Sequence, residues 1–217
     1  MMEQAIIDFI IVVLGILFAL FINKLNAKRN HTKRINNIMK IVIKNMKHDL
    51  DILDRITGIM KSDDKLSQQY IDSNDLDDKL LIDCKHLPVR HQTFTVSTRG
   101  YNLLKDARID FDFKHSELIS EIVHHYNIWI SALKRDEFKV SDAVVNNANE
   151  MNDFSWFDSA ANHNVNSQEY LDYMRTDQFR KKVIFVRFLR NHYCRHLLDF
   201  QKRTSDLLNR SIASNYK

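Results

Sequence analysis

The chain is short of the residues that turn a backbone: three glycines and one proline in 217 positions, against an ordinary usage of about 7% and about 5%. So few turn-makers exclude a sheet-rich fold and point to long helices. Three scattered glycines also leave nothing from which to build a phosphate-cradling loop. No Walker, dinucleotide-binding, nucleophile-elbow or zinc-protease motif is present, so no catalytic residue and no cofactor is assigned and the chain is read as a non-enzyme. Two cysteines, Cys84 and Cys194, are too few to staple an extracellular domain together and are read as reduced and structural. The net charge of +4 is small and carries no interleaved aromatic pattern, which argues against a nucleic-acid partner.

What the chain does have is one long apolar run. Ala5 to Ile22 reads AIIDFIIVVLGILFALFI, with Asp8 as its single charge. As a helix this run covers about 27 Å, close to the ~30 Å hydrocarbon core of a bilayer. A cleaved secretory signal would need a basic start and a small-residue cleavage site; here the run is followed by Asn23 and Lys24, so a retained anchor is expected.

Immediately downstream, Lys24, Lys28, Arg29, Lys33 and Arg34 form a basic flank, continued by Lys40, Lys44 and Lys47, and the first acidic residue after the run is Asp49. Lys and Arg resist translocation, so this flank marks the cytoplasmic side. The expected organisation is an external N-terminus at 1–4, a transmembrane helix at 5–23 and a cytoplasmic helical domain at 24–217. The same flank suits a bilayer with anionic headgroups, at about 1 kcal/mol per basic residue near the surface.

The span also has a face. Asp8, Val12, Gly15, Ala19, Ile22 and Asn26 recur at 4-3 spacing, which gathers the small and polar residues on one side, and Gly15-x-x-x-Ala19 is a small-xxx-small pair. Such a face favours close contact with another membrane helix. With one span per chain the expected partner is a second copy or another membrane protein. Asp8 lies about one turn inside the N-terminal end, where it can snorkel to the interface.

Beyond the span, Ile35, Met39, Val42, Met46, Leu53, Ile56 and Met60 keep 4-3 spacing, widened by Ile38 and Leu50, so an amphipathic helix is expected to about Lys61. It should continue directly from the membrane helix. A helix end is placed near Ser62, with a short helix around Leu66 to Tyr70. Ten Asp between Asp49 and Asp83 are read as a solvated acidic surface, because they lack the glycine and terminal Glu of an EF-hand loop. The chain turns near Pro88, and Thr93 to Lys105 reads as a cap and a short helix with Tyr101, Leu103 and Leu104 inward. Leu118, Ile119, Ile122, Val123, Tyr126, Trp129, Ile130 and Leu133 mark a helix from Ser116 to about Met151. Asp153 to Val165 reads as a loop over an aromatic plug of Phe154, Trp156 and Phe157. Phe179, Val183, Val186, Tyr193, Leu197, Phe200 and Leu207 define a final helix, with Arg190 and Thr204 at its two remaining seam positions. That helix should pack lengthwise on the first. The fold class expected is all-α: a single N-terminal transmembrane helix continuing into an elongated antiparallel helical bundle.

His192 and His196 share a helix face and could hold one ion, but Cys194 between them points elsewhere and no third ligand stands at helical spacing. They are read as structural, and no metal ligand is assigned. His124 with His125, and His86 with His91, have no ligand spacing either.

The segment from Ile11 to Arg29, IVVLGILFALFINKLNAKR, resembles the opening of a family of uncharacterised single-span bacterial membrane proteins. Their pattern is approximately V-V-x-G-I-L-x-A-L-x-I-N-x-W-N-x-x-R, followed by a long helix. Leu25 stands where that family usually has Trp. Ser97 to Lys105, STRGYNLLK, and the Arg187 to Asn191 stretch, RFLRN, resemble later parts of it. The resemblance implies a bacterial inner-membrane location and the same helical architecture, and it brings no activity or site residues. The leading expectation is a membrane-anchored interaction protein serving as oligomeric scaffold, sensor or adaptor. A membrane effector that forms a pore or perturbs the bilayer on assembly, as in toxin or phage-defence systems, is the second.

Overall fold

The structure, a computed structural model, describes residues 2–107, 116–154, 156 and 168–214; for residues 2–8 and 10 it describes the course of the backbone. The described residues form six helices and no strand. They are α1 (Met2–Asp72), α2 (Asp78–Cys84), α3 (Arg99–Asp106), α4 (Ser116–Asn152), α5 (Gln168–Met174) and α6 (Asp177–Ala213). The all-α bundle expected from the scarcity of glycine and proline is what forms.

α1 is one helix of 71 residues, about 107 Å long at 1.5 Å per residue. It does not end near Ser62, and no separate helix covers Leu66 to Tyr70. The acidic composition suggested a break, but Asp63 and Ser67 lie on the buried face with Met60 and Tyr70 and continue its spacing. The Ser67 hydroxyl donates back to the Asp63 carbonyl at 2.7 Å, inside the helix. The second correction follows from the same residues. Asp49 and Asp63 are buried, at 0% and 5% exposure, so the ten Asp are not a uniformly solvated surface.

α6 packs antiparallel along α1 from Ile35 onwards, and α4 packs antiparallel along α6. Every apolar seam residue expected of α6 is fully buried. α3 lies against α1 at a close approach. A Cβ on Gly100 would stand 2.8–2.9 Å from Cγ2, Cα and N of Val42, so only glycine allows the contact. Polar groups on α1 also supply the cap that Thr98 does not give. Asn45 accepts from the Gly100 N–H at 2.9 Å, and Asp49 accepts from the Ser97 N–H with both oxygens at 3.1 and 3.2 Å. These bonds satisfy donors at the N-terminal end of α3 that would otherwise be orphaned.

The core has two apolar clusters. The larger runs from Ile35 to Leu208 through α1, α3, α4 and α6. The smaller, at the far end, gathers Tyr70, Leu81, Leu87, Trp156, Tyr170, Met174 and Phe179. It includes the expected aromatic plug, where Phe154 stacks on Trp156 at 5.1 Å and Trp156 contacts Tyr170 at 4.5 Å; Phe157 and the rest of that loop to Val165 lie outside the described residues. Between the clusters sits a polar layer. Arg190 pairs with Asp63 at 3.3 Å and donates to the Leu87 carbonyl at 2.5 Å, while Arg90 reaches Asp63 from the other side at 3.2 Å. Asn147 donates to the Pro88 carbonyl at 2.9 Å and accepts from Lys182. The buried turn around the single proline thus has its carbonyls met by side chains of α4 and α6, as buried backbone groups require.

Gly100→Ala should cost about 1–3 kcal/mol, because the new methyl meets backbone atoms of Val42 that cannot swing aside. Gly58→Ala, where nothing lies within 4 Å, should stabilise by about 0.5–1 kcal/mol through helix propensity. Arg190→Leu should cost about 1–3 kcal/mol by leaving the Leu87 carbonyl without its donor and Asp63 with Arg90 alone. Urea unfolding of the three variants checks all three signs.

Candidate functional site

The N-terminal half of α1 stands clear of the bundle. From Ile11 to Asn30 every side chain except the half-buried Val13 is exposed, and the first fully buried residue is Ile35. Ten large apolar side chains from Phe9 to Ile22 and Leu25 are among those left uncovered. Among the described residues this is the one helix long and apolar enough to cross a membrane. Val12, Gly15, Ala19, Ile22 and Asn26 share one helical face, and none of them is buried by the rest of the chain. Nothing lies within 4 Å of a Cβ built on Gly15. Asp8 holds its place in the helix at backbone level, and its side chain lies outside the described residues. Lys24, Lys28, Arg29, Lys33 and Arg34 are all exposed on the helical neck between the apolar segment and Ile35.

A second exposed apolar surface lies along the α4–α6 edge. Phe138 and Phe185 line one groove with Leu189, and Phe188 follows one turn along α6. Phe138 and Phe188 are each 65% exposed, more than a solvated helix face needs.

The seam between α4 and α6 carries the ionisable groups. Glu121 is bridged by Arg203 and Arg210 at 2.6–2.8 Å, and the hydrogen bond from Arg210, the leading cause, holds its carboxyl below the ordinary range. His125 is buried, stacks on Phe200 at 4.9 Å and bonds Thr204 at 2.9 Å. Burial, with Arg203 adding to it, pushes its pKa down to about 4. Both polar seam positions read from the sequence of α6, Arg190 and Thr204, therefore have partners on other segments. Further along, Asp136 of α4 faces His192 and His196 of α6. Asp136 is 2% exposed. Its Oδ2 lies 2.5 Å from Nδ1 of His196 and its Oδ1 lies 3.8 Å from Nε2 of His192.

Asp136 is the residue that the sequence reading missed. Leu133, Asp136, Val140, Ala143, Asn147 and Met151 continue the buried stripe of α4 at 3-4 spacing, so a charged residue at a core position was the available signal. Cys194 does point away from the histidines, and both cysteines are free and buried. Burial raises the pKa of each thiol, that of Cys84 to about 12, so neither is a reactive thiolate at neutral pH.

No protein-family model, curated protein or solved structure matches this chain.

His125 fixes a pH dependence. Its folded pKa of about 4 lies below the ordinary 6.5, so between those values the unfolded chain binds the extra proton and stability rises with pH. Stability from this group is complete above about 6.5 and should fall by up to about 3 kcal/mol as pH drops to about 4. Asp49, whose pKa is raised mainly by burial, contributes the opposite slope, losing stability as pH rises through its folded pKa. The readout is therefore the difference in unfolding free energy between the native chain and His125→Gln across pH 4 to 7; parallel curves would remove His125 from the account.

Proposed function

We propose that this is a single-span, membrane-anchored interaction protein, with the bundle at residues 35–214 serving as an oligomeric scaffold, sensor or adaptor on the cytoplasmic face of a bacterial inner membrane. The observation that carries it is the uncovered apolar half of α1. Leaving that many large apolar side chains in water would cost roughly 1.5–3 kcal/mol each relative to burial, and a bilayer or a set of like helices removes the cost. The basic neck supports the orientation, since Lys and Arg beside a span stay on the cytoplasmic side, and it favours anionic headgroups. The resemblance of residues 11–29 to single-span bacterial proteins supports the same location.

Association is supported by the open face of the span. Gly15 and Ala19 pack against nothing in their own chain, so the close approach that small residues permit is free for a second copy. The exposed Phe138, Phe185 and Phe188 edge supports self-association of the bundle as well. The bundle is taken to act through contacts with other chains.

In-membrane crosslinking tests the association. The double variant Gly15→Leu with Ala19→Leu should lower crosslinked oligomer about tenfold while leaving helicity intact, since neither position contacts the bundle; an unchanged oligomer would end the packing-face argument. For orientation, a cytoplasm-active reporter fused after Lys217 should be active, and activity of a periplasm-only reporter there would overturn it.

A further inference from the structure

We propose that Asp136, His192 and His196 form a binding site for a divalent transition-metal ion of the zinc class, and that the ion ties α4 to α6. One ligand atom from each of the three residues lies within 4.8 Å of the other two. Imidazole nitrogens and a carboxylate oxygen bind Zn²⁺ at about 2.0–2.2 Å. At the tetrahedral angle two such bonds set ligand atoms about 3.4 Å apart, a spacing that a side-chain shift of about 0.4 Å reaches from the 3.8 Å between His192 Nε2 and Asp136 Oδ1. That separation is too long for a hydrogen bond.

The carboxylate itself asks for a cation. Oδ1 of Asp136 is buried and has no hydrogen-bond partner, although Oδ2 is held by His196. The bond to His196 answers one oxygen and leaves the other bare, and an ion at Oδ1 supplies that oxygen's missing partner. Arg135 Nε at 3.7 Å and Lys139 Nζ at 3.9 Å also approach Oδ1. Both are more than half exposed, and neither comes within hydrogen-bond distance. They neutralise the carboxylate from the solvent side and can swing away as a dication enters.

The three ligands come from rigid elements. His192 and His196 stand one turn apart on α6 with ring centroids 4.5 Å apart, and Trp129 of α4 holds His196 edge-on at 5.8 Å. A small rotation of His196 brings its nitrogen from Oδ2 to the ion. Both histidine side chains are partly exposed, at 42% and 29%, so the ion can enter from solvent and keep water in its remaining position. Three nitrogen and oxygen ligands with an open position suit Zn²⁺ or a neighbouring first-row dication, and imidazole disfavours Mg²⁺ and Ca²⁺. The site lies wholly in the bundle, so it stands or falls apart from the membrane reading.

The test uses the full chain in detergent, purified without a polyhistidine tag and stripped with chelator. Zn²⁺ alone should raise the melting temperature, and Co²⁺ alone should give a visible d–d band at one equivalent. His192→Ala, at an exposed position that leaves the core intact, should weaken Co²⁺ binding at least tenfold, because a ligand matters at least as much as the outer-shell partners whose loss costs about 10–100-fold. Asp136→Asn should do the same where it folds. Three results would overturn the proposal: no Co²⁺ band at one equivalent, full-strength binding in His192→Ala, or an equal thermal response to Mg²⁺.

Discussion

One helix runs from an uncovered apolar segment into the core of the bundle, and the rest of the structure depends on that. α1 is exposed from Ile11 to Asn30, apart from the half-buried Val13, and lined with core contacts from Ile35 to Tyr70. Its helical backbone carries through the neck without interruption, so the phase of the exposed apolar segment and the phase of the core face are linked at 100° per residue. Gly15 and Gly58 sit within this helix and Pro88 beyond it, leaving no proline to kink it. The bundle is therefore held in a set direction relative to the exposed apolar segment. A second copy packed on the Gly15–Ala19 face would bring its own bundle in at a set rotation.

An apolar seam repeated at 4-3 spacing can slip by a turn and still bury its side chains. What pins the register here is the polar residues inside the seam. A slip of α6 on α1 by one turn would part Arg190 from Asp63 and from the Leu87 carbonyl. A slip of α4 on α6 would part His125 from Thr204 and Asn147 from Lys182. The polar layer between the two apolar clusters thus limits the bundle to one alignment. Gly100 against Val42 fixes the third axis by allowing α3 only one height on α1.

The same polar residues mark where the sequence stopped being readable. Seam positions filled by Ile, Leu, Val, Met and Phe announced α1, α4 and α6, and for α4 both ends, because each position obeys local periodicity. Asp63 and Ser67 hid the last turns of α1, since their burial depends on Arg190 and Arg90, distant in sequence. Asp49 looked solvated for the same reason: its partner, the Ser97 amide, is 48 residues away. Asp136 was hidden in the charged stretch Lys134 to Lys139. The spacing of His192 and His196 was legible, but a third group from another helix appears only when α4 and α6 are laid side by side. The apolar run and its basic flank needed no such partner and were legible at once.

The two long seams of α6 both combine apolar packing with directional polar contacts. α1 and α6 share most of the large apolar cluster, and α1 is joined covalently to the apolar span. α4 meets α6 through Glu121 with Arg203 and Arg210, His125 with Thr204, Asp136 with His196, and Asn147 and Glu150 with Lys182. These contacts are spread along the whole helix and are directional, with histidine in two of them. Protonation of His125 would act directly on its contact with Thr204, whereas it leaves apolar contacts nearly untouched. The α1–α6 pair carries ion pairs of its own, Arg190 with Asp63 and Arg187 with Asp64, so charge is met along both seams of α6. The exposed Phe138 sits on α4 beside Phe185 of α6, so whatever adjusts the α4–α6 seam also adjusts the groove between them. In this architecture α6 is the shared helix, packed on α1 along one side and on α4 along the other.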